Sequence, residues 1–284
     1  MKKIIMTLLC SSILALSYGQ VNVPQASTYS ELKATIGLTE IEIQYSRPNK
    51  KDREIFGNVV PYGKIWRTGA NANTTIVFSD DVIIDGQTLE AGKYAIFTKP
   101  EKGNWEIYFY SENDNWGNQV QWDEEKVRAK TTAEVQITPF ITETFTISID
   151  DIEMDKGEIS FRWDDVYVAA EIEVPTDTKA MTSIEKTMQN GTPKAQDYIS
   201  AANYFHQTGK DVNQAKEWID EGIKMMENPP YYFLYSQALI HEKAGNKENA
   251  LKIANASLEA AKEAADEAYI RQNQELIKGI EEGR

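Results

Sequence analysis

The spacing of apolar and polar positions changes once along the chain. From residue 27 to about 175 apolar residues tend to alternate with polar ones. Ile41, Ile43 and Tyr45 are interleaved with Glu40, Glu42 and Gln44. That predicts a strand with one buried and one wet face, because successive side chains point to opposite sides of a sheet. Similar runs lie at Thr75 to Phe78, Val82 to Ile84, Lys93 to Thr98 and Trp105 to Tyr110. Asp85-Gly86 marks a hairpin and Ala91-Gly92 a turn. Phe145, Ile147 and Ile149 are answered by Ile159, Phe161 and Trp163 across a turn at Asp155-Lys156-Gly157, and Val166 to Val174 closes the set. About nine short strands separated by turn residues predict an all-β antiparallel sandwich or jelly-roll-like domain over 27–175. No helix alternates with these strands, so a Rossmann-type sheet is excluded.

Beyond Pro175 the period becomes helical, and Ala, Lys, Glu and Gln dominate. Tyr198, Ala202, Phe205 and Gly209 recur 36 positions later at Leu234, Ala238, His241 and Gly245, and Ala215 recurs at Ala250 after 35. This spacing resembles that of tetratricopeptide repeats over residues 193–262. The small residue lets a paired helix approach, the large one packs the interface, and the glycine ends the first helix. Asp211 with Gln214 predicts a capping box for the second helix, and Asn228 before Pro229 predicts the start of the third. Met181, Ile184 and Met188 form one face of a leading helix in the linker, 176–192. Tyr269, Leu276 and Ile280 form one face of a capping helix. Residues 193–284 are thus expected to be a C-terminal α-helical tetratricopeptide-like repeat domain. Two repeats are too few to be stable alone, so the helices are expected to dock on the sandwich or on a protein partner.

The first residues change the picture of compartment. Lys2 and Lys3, the apolar run Ile4 to Leu16 and the small-x-small Ser17-Tyr18-Gly19 form a secretory signal peptide over 1–19, too short to span a bilayer. Leu9 is too large to precede a lipidated Cys10. The single cysteine of the chain lies in this segment, so the exported protein, expected in the periplasm with the extracellular space as the alternative, has no disulfide and no catalytic thiol. The formal charge of −14 becomes −16 once Lys2 and Lys3 are removed. Such a balance argues against general binding to nucleic acid or anionic membrane.

The available chemistry is narrow. His206 and His241 are the two histidines, and both fall in repeat helices, where packing is the expected role. With no Cys or His in the sandwich, neither a nucleophilic triad nor a His/Cys zinc site can be built there. Asp150, Asp151, Glu153 and Asp155 fall short of a calcium loop, since Lys156 takes the glycine position and Arg162 the place of the terminal Glu. A charged turn is expected instead, with no metal and no cofactor. A carboxylate pair for glycan hydrolysis stays open among the 44 acids.

One segment departs from the acidic background. Between Ile43 and Ser79 stand six basic residues, Arg47, Lys50, Lys51, Arg53, Lys64 and Arg67, against Asp52 and Glu54. Planar guanidinium forks, amides and an aromatic ring suit a carboxylated, sulfated or sugar-like ligand. The candidate binding residues are Arg47, Arg53, Trp66, Arg67, Asn71 and Thr74. The structural alternative is that the arginines pair with acids of the sandwich and Trp66 belongs to the core.

The stretch "YSRPNKKDREIFGNVVPYGKIWRTGANANTTIVFS", followed by "AGKYAIFTKP", "NDNWG" and "ISFRWDDV", resembles the domain-of-unknown-function family numbered 2911, found in exported bacterial proteins. The resemblance spans residues 27–175. It implies the sandwich, export and a helical extension, and it supplies no activity. Three functions are therefore weighed: a non-catalytic binding module for an anionic or carbohydrate ligand with a protein partner on the helices, a structural scaffold of an envelope complex acting through those helices, and a carboxylate-dependent glycan hydrolase.

Overall fold

The computed structural model describes residues 23–117 and 121–283; the signal peptide expected over 1–19 lies outside the described residues. The chain divides after Pro175 into two compact units. In the first, β1 (Thr28–Ile36), β2 (Thr39–Arg47), β3 (Thr75–Phe78), β6 (Gly92–Pro100), β7 (Asn104–Tyr110) and β8 (Val127–Glu134) form a six-stranded sheet in the order β1-β2-β3-β6-β7-β8. The second sheet has four strands, β5 (Gln87–Leu89), β4 (Val82–Ile84), β10 (Lys156–Glu173) and β9 (Gln136–Asp150), in the order β5-β4-β10-β9. Neighbours pair antiparallel throughout.

The alternation in β2 behaves as its sequence requires. Ile41, Ile43 and Tyr45 are buried, whereas Glu42 and Gln44 are partly open. They meet Phe145, Ile147, Phe161 and Trp163 of the opposite sheet in one core. Tyr45 ties the layers directly, because its hydroxyl accepts from the Ile147 amide at 3.0 Å and lies 3.3 Å from the carbonyl of the same residue.

Three departures have physical causes. β8 escapes a hydrophobicity reading because its inward residues are Ala129 and Ala133, a residue type with little strand preference. The stretches around Phe161 and Val166 form one long strand, whose register shifts on either side of Asp164. Asp164 has φ +58, so a bulge separates two alternating runs without ending the strand. Tyr108 and Tyr110, on the polar side of the alternation in β7, are buried as well. With Ala95 and Phe97 they form a second cluster on the outer face of the six-stranded sheet, covered by Ile65, Trp122 and Val127.

The second unit holds six helices, α1 (Thr176–Asn190), α2 (Ala195–Gln207), α3 (Val212–Lys224), α4 (Tyr231–Lys243), α5 (Lys247–Glu263) and α6 (Glu267–Glu282). The small residues Ala202, Ala215, Ala238 and Ala250 are fully buried, and Phe205 packs on Trp218 with ring centroids 4.8 Å apart. Met181 and Ile184 of α1 join this core. Asp211 caps α3 by accepting from the amides of Asn213 and Gln214. Asn228 does not cap the third repeat helix. That helix begins at Tyr231 after Pro230, with no side-chain cap, because Pro229-Pro230 carries the chain past Asn228 in an extended form.

His241 is 4% exposed, and its Nε2 lies 2.8 Å from Asp220 Oδ1, which also accepts from Gln237 Nε2 at 2.7 Å. Burial pushes the Asp220 carboxyl up, but the bonds from His241 and Gln237 outweigh it and hold the group below its ordinary value of 3.8. A depressed carboxyl contributes stability above its unfolded pKa and loses it as pH falls through the folded one. Asp220→Asn is therefore expected to lower the melting temperature at pH 7 and to flatten its decline below about pH 4. Identical acid limbs for the two proteins would remove Asp220 from that account.

Candidate ligand-binding site

Residues 48–74 connect β2 to β3 without a regular strand, a length at which connections in compact domains are usually functional. This one is laced to both sheets. Lys50 N donates to Glu143 O at 2.7 Å and Phe145 N to Pro48 O at 2.9 Å, which ties its start to β9. Trp66 and Thr98 exchange two backbone bonds of 2.7 and 2.9 Å, so Trp66 pairs with β6 beyond the end of β3. Ala70 N donates to Ser46 O at 3.2 Å. Backbone polar groups of a segment lying on a core must find such partners, and here the neighbouring strands supply them.

The turn after Trp66 is strained. Thr68 has φ +57, an outlying value for a β-branched residue. Its hydroxyl bonds to Thr98 Oγ1 at 3.1 Å, and its carbonyl accepts from Thr74 Oγ1 at 2.6 Å. Gly69 follows with φ +147, and a Cβ there would stand 2.9 Å from both Ser46 O and Thr74 Oγ1. Backbone held so far from ordinary conformations clusters at binding and active sites.

This loop bounds a half-open cleft of about 540 Å³, within the roughly 300–1,000 Å³ common for small-molecule sites. Lys51, Arg53, Lys64 and Arg67 line it, and no carboxylate does among the described residues. Pro48, Val60, Pro61 and Ile65 give it apolar wall, and Trp66 and Trp163 contribute at its base. In a chain of net charge −14, four cations facing one concavity concentrate positive potential there, and low-dielectric walls focus it. Burial draws the Arg67 guanidinium below its ordinary pKa, which reports the cost of keeping that charge partly out of water.

The six candidate residues separate into two groups. Arg53, Trp66 and Arg67 line the cleft. Arg53 is exposed and also closes its own turn, with Nε to Lys50 O at 2.9 Å and a terminal nitrogen to Asn49 O at 2.5 Å. Trp66 is 8% exposed and stacks on Trp163 at 5.9 Å with Phe145 and Trp105 around it, so it does not offer an open stacking face. Arg47, Asn71 and Thr74 are engaged elsewhere. Arg47 donates to Phe145 O at 2.9 Å and to Thr146 Oγ1 at 2.7 Å, joining β2 to β9. Asn71, at φ +62, uses its backbone carbonyl to accept from Gly117 N at 3.1 Å. Thr74 is fully buried beneath the strained turn.

Lys51 and Lys64 are cleft residues that spacing did not single out within the basic stretch. Lys50 is excluded from the cleft by its ion pair with Asp164 at 2.9 Å. The acidic turn expected at 150–157 is held by its own neighbours: Asp150 accepts from Ser148, Ser160 and Arg162 at 2.8, 2.6 and 2.7 Å.

A family model described as protein of unknown function (DUF2911) matches residues 27–172. The chain belongs to that family. The DUF2911 region therefore contains both sheets except Glu173 and every lining residue of the cleft except Ala26, and the six helices follow it. No curated protein and no solved structure matches the chain. No helix among the described residues is long and apolar enough to cross a membrane.

Proposed function

We propose that the chain is an exported, non-catalytic binding module whose DUF2911 cleft takes an anionic ligand. One observation carries this reading: Lys51, Arg53, Lys64 and Arg67 converge on one concavity with no lining carboxylate among the described residues. The strained support at Thr68 and Gly69 favours a purpose-built surface, since strain of this kind is retained where geometry matters. Apolar walls beside the cations favour a ligand with an uncharged body and one or more acidic groups, such as an acidic sugar. A two-carboxylate hydrolase has no pair in this cleft to work with. The signal-like start of the sequence supports export to the periplasm, and the 36-residue recurrence supports reading the helices as tetratricopeptide-like repeats that hold a protein partner.

The test is calorimetric titration with trigalacturonate as anionic probe and maltotriose as neutral control. Binding that weakens steeply with added salt is expected for the first alone. Lys51 and Lys64 are exposed, so Lys51→Gln combined with Lys64→Gln should leave the melting temperature within a few degrees. The same pair should weaken trigalacturonate at least about tenfold, or roughly 1.4 kcal/mol. Equal affinity in the variant, or no heat with the anionic probe at low salt, removes the acidic sugar from the cleft.

A further inference from the structure

A second concavity, sharing no lining residue with the basic cleft, lies on the six-stranded sheet of the same unit. Its volume is about 160 Å³, and it is lined by Tyr29 and Tyr45 of β1 and β2, Asn73, Lys93 of β6, and the run Asn113-Asp114-Asn115. The two asparagine-rich stretches are fastened together by their backbones. Asn73 N donates to Asn115 O at 3.1 Å, Gly117 N donates to Asn71 O at 3.1 Å, and Ala72 bridges to Trp116.

Asn73 is 6% exposed, and neither its amide nitrogen nor its amide oxygen has a hydrogen-bond partner. Asn115 Nδ2 is likewise buried and unpartnered. Buried side-chain amides are nearly always satisfied, because an unmade bond forfeits the water each group gave up. Three such atoms on two residues that line one pocket need an explanation that packing does not provide. Asn113, by contrast, is committed, donating to Lys93 O at 2.8 Å.

We infer that this pocket is a binding site for a single neutral sugar ring. A side-chain amide offers a donor and an acceptor side by side, a pair that matches two adjacent hydroxyls, each able to give and take. Asn115 adds a donor, and the exposed Asp114 carboxylate adds an acceptor. Lys93 and Asp114 cancel in charge, so the pocket selects neither anions nor cations. Tyr29, 57% exposed, gives an aromatic face with a polar tip. Trp116, 76% exposed, stands beside the run whose backbone meets Ala72. The amide atoms are shielded from bulk water in the unliganded geometry, so Asn73 turns about its terminal torsion, a soft rotation, as a hydroxyl enters.

The experiment is a nuclear magnetic resonance titration of the ¹⁵N-labelled full chain with glucose, galactose, mannose and N-acetylglucosamine in turn. The side-chain amide signals of Asn73 and Asn115 are expected to shift saturably with at least one of them. Asn73→Ala is expected to weaken that binding at least tenfold and to raise the melting temperature by about 2–4 °C, since it removes an unsatisfied buried amide. Tyr29→Ala, at an exposed position, is expected to weaken the same binding without altering the fold, and it serves if the Asn73 variant does not fold. Retention with the methyl glycoside assigns the site to the end of a glycan chain, and loss assigns it to a free reducing sugar; either supports the inference. Silence of both amides at tens of millimolar with all four sugars overturns it. So does a fall in melting temperature for Asn73→Ala with sugar binding intact, because the amide then serves a structural water.

Discussion

Trp163→Ala is expected to destabilise the DUF2911 unit by about 3–5 kcal/mol, the range for deleting a large buried aromatic. Trp163 is fully enclosed, stacked on Trp66 and set against Phe56 at 6.3 Å and Phe145 at 5.8 Å. Its indole nitrogen donates to Glu143 O at 3.2 Å. The residues it touches belong to β9 and to the loop that carries the cleft, so the cavity left behind undermines the base of the site. The loss should appear in urea unfolding followed by tryptophan fluorescence, and a midpoint shift worth less than about 1 kcal/mol would mean that the neighbours collapse to fill the space. Trp163→Phe should recover part of the difference, because a ring still packs against both Trp66 and Phe145.

The second large effect concerns a position with no side chain. Gly69→Ala meets two obstacles at once, a backbone angle of +147° and a Cβ placed 2.9 Å from Ser46 O and Thr74 Oγ1. Conformational strain of this kind costs about 1–3 kcal/mol before any contact is counted. Neither oxygen yields easily, since one is backbone and the other is bonded to Thr68 O. Gly86→Ala is the control: φ there is +72 but nothing lies within 4 Å of the new methyl, so only the conformational part, about 1 kcal/mol, applies. Thermal unfolding should therefore rank Gly69→Ala clearly below Gly86→Ala. The same substitution should also weaken trigalacturonate, because Gly69 lies between Arg67 and Ala70 on the cleft wall. Equal melting temperatures for the two variants would contradict the close approach at Gly69.

Much of the architecture was legible because it is written in near neighbours. Alternation over five residues is enough to place Ile41, Ile43 and Tyr45 on one face. Asp85-Gly86 gives a hairpin, with φ +50 and +72, because few other pairs tolerate that turn. The helical half was visible in the recurrence of Ala202 and Phe205 at Ala238 and His241. Where these readings failed, the cause lay across the sheet. Ala129 and Ala133 make β8 only because β7 is beside them. Tyr108 and Tyr110 are buried because Ile65, remote in sequence, covers the outer face together with Trp122 and Val127.

The candidate site was legible as a region and not as a set of residues. Sequence can show that basic residues are dense between Ile43 and Ser79, since charge counts need no geometry. It cannot say which cation is tied to a distant strand and which lines a concavity. Arg47 is spent on β9, Lys50 on Asp164, and Lys51, Arg53, Lys64 and Arg67 reach the cleft. That sorting depends on contacts between residues about a hundred positions apart. The pairing of Asn73 with Asn115 is likewise a product of the fold. By itself, then, the sequence determined strands, turns, helix pairs and an excess of positive charge in one connection, all properties of spacing and composition along the chain. Only the tertiary structure decided which charges share a concavity and which buried amides lack partners, because both depend on distances that packing sets and order along the chain does not.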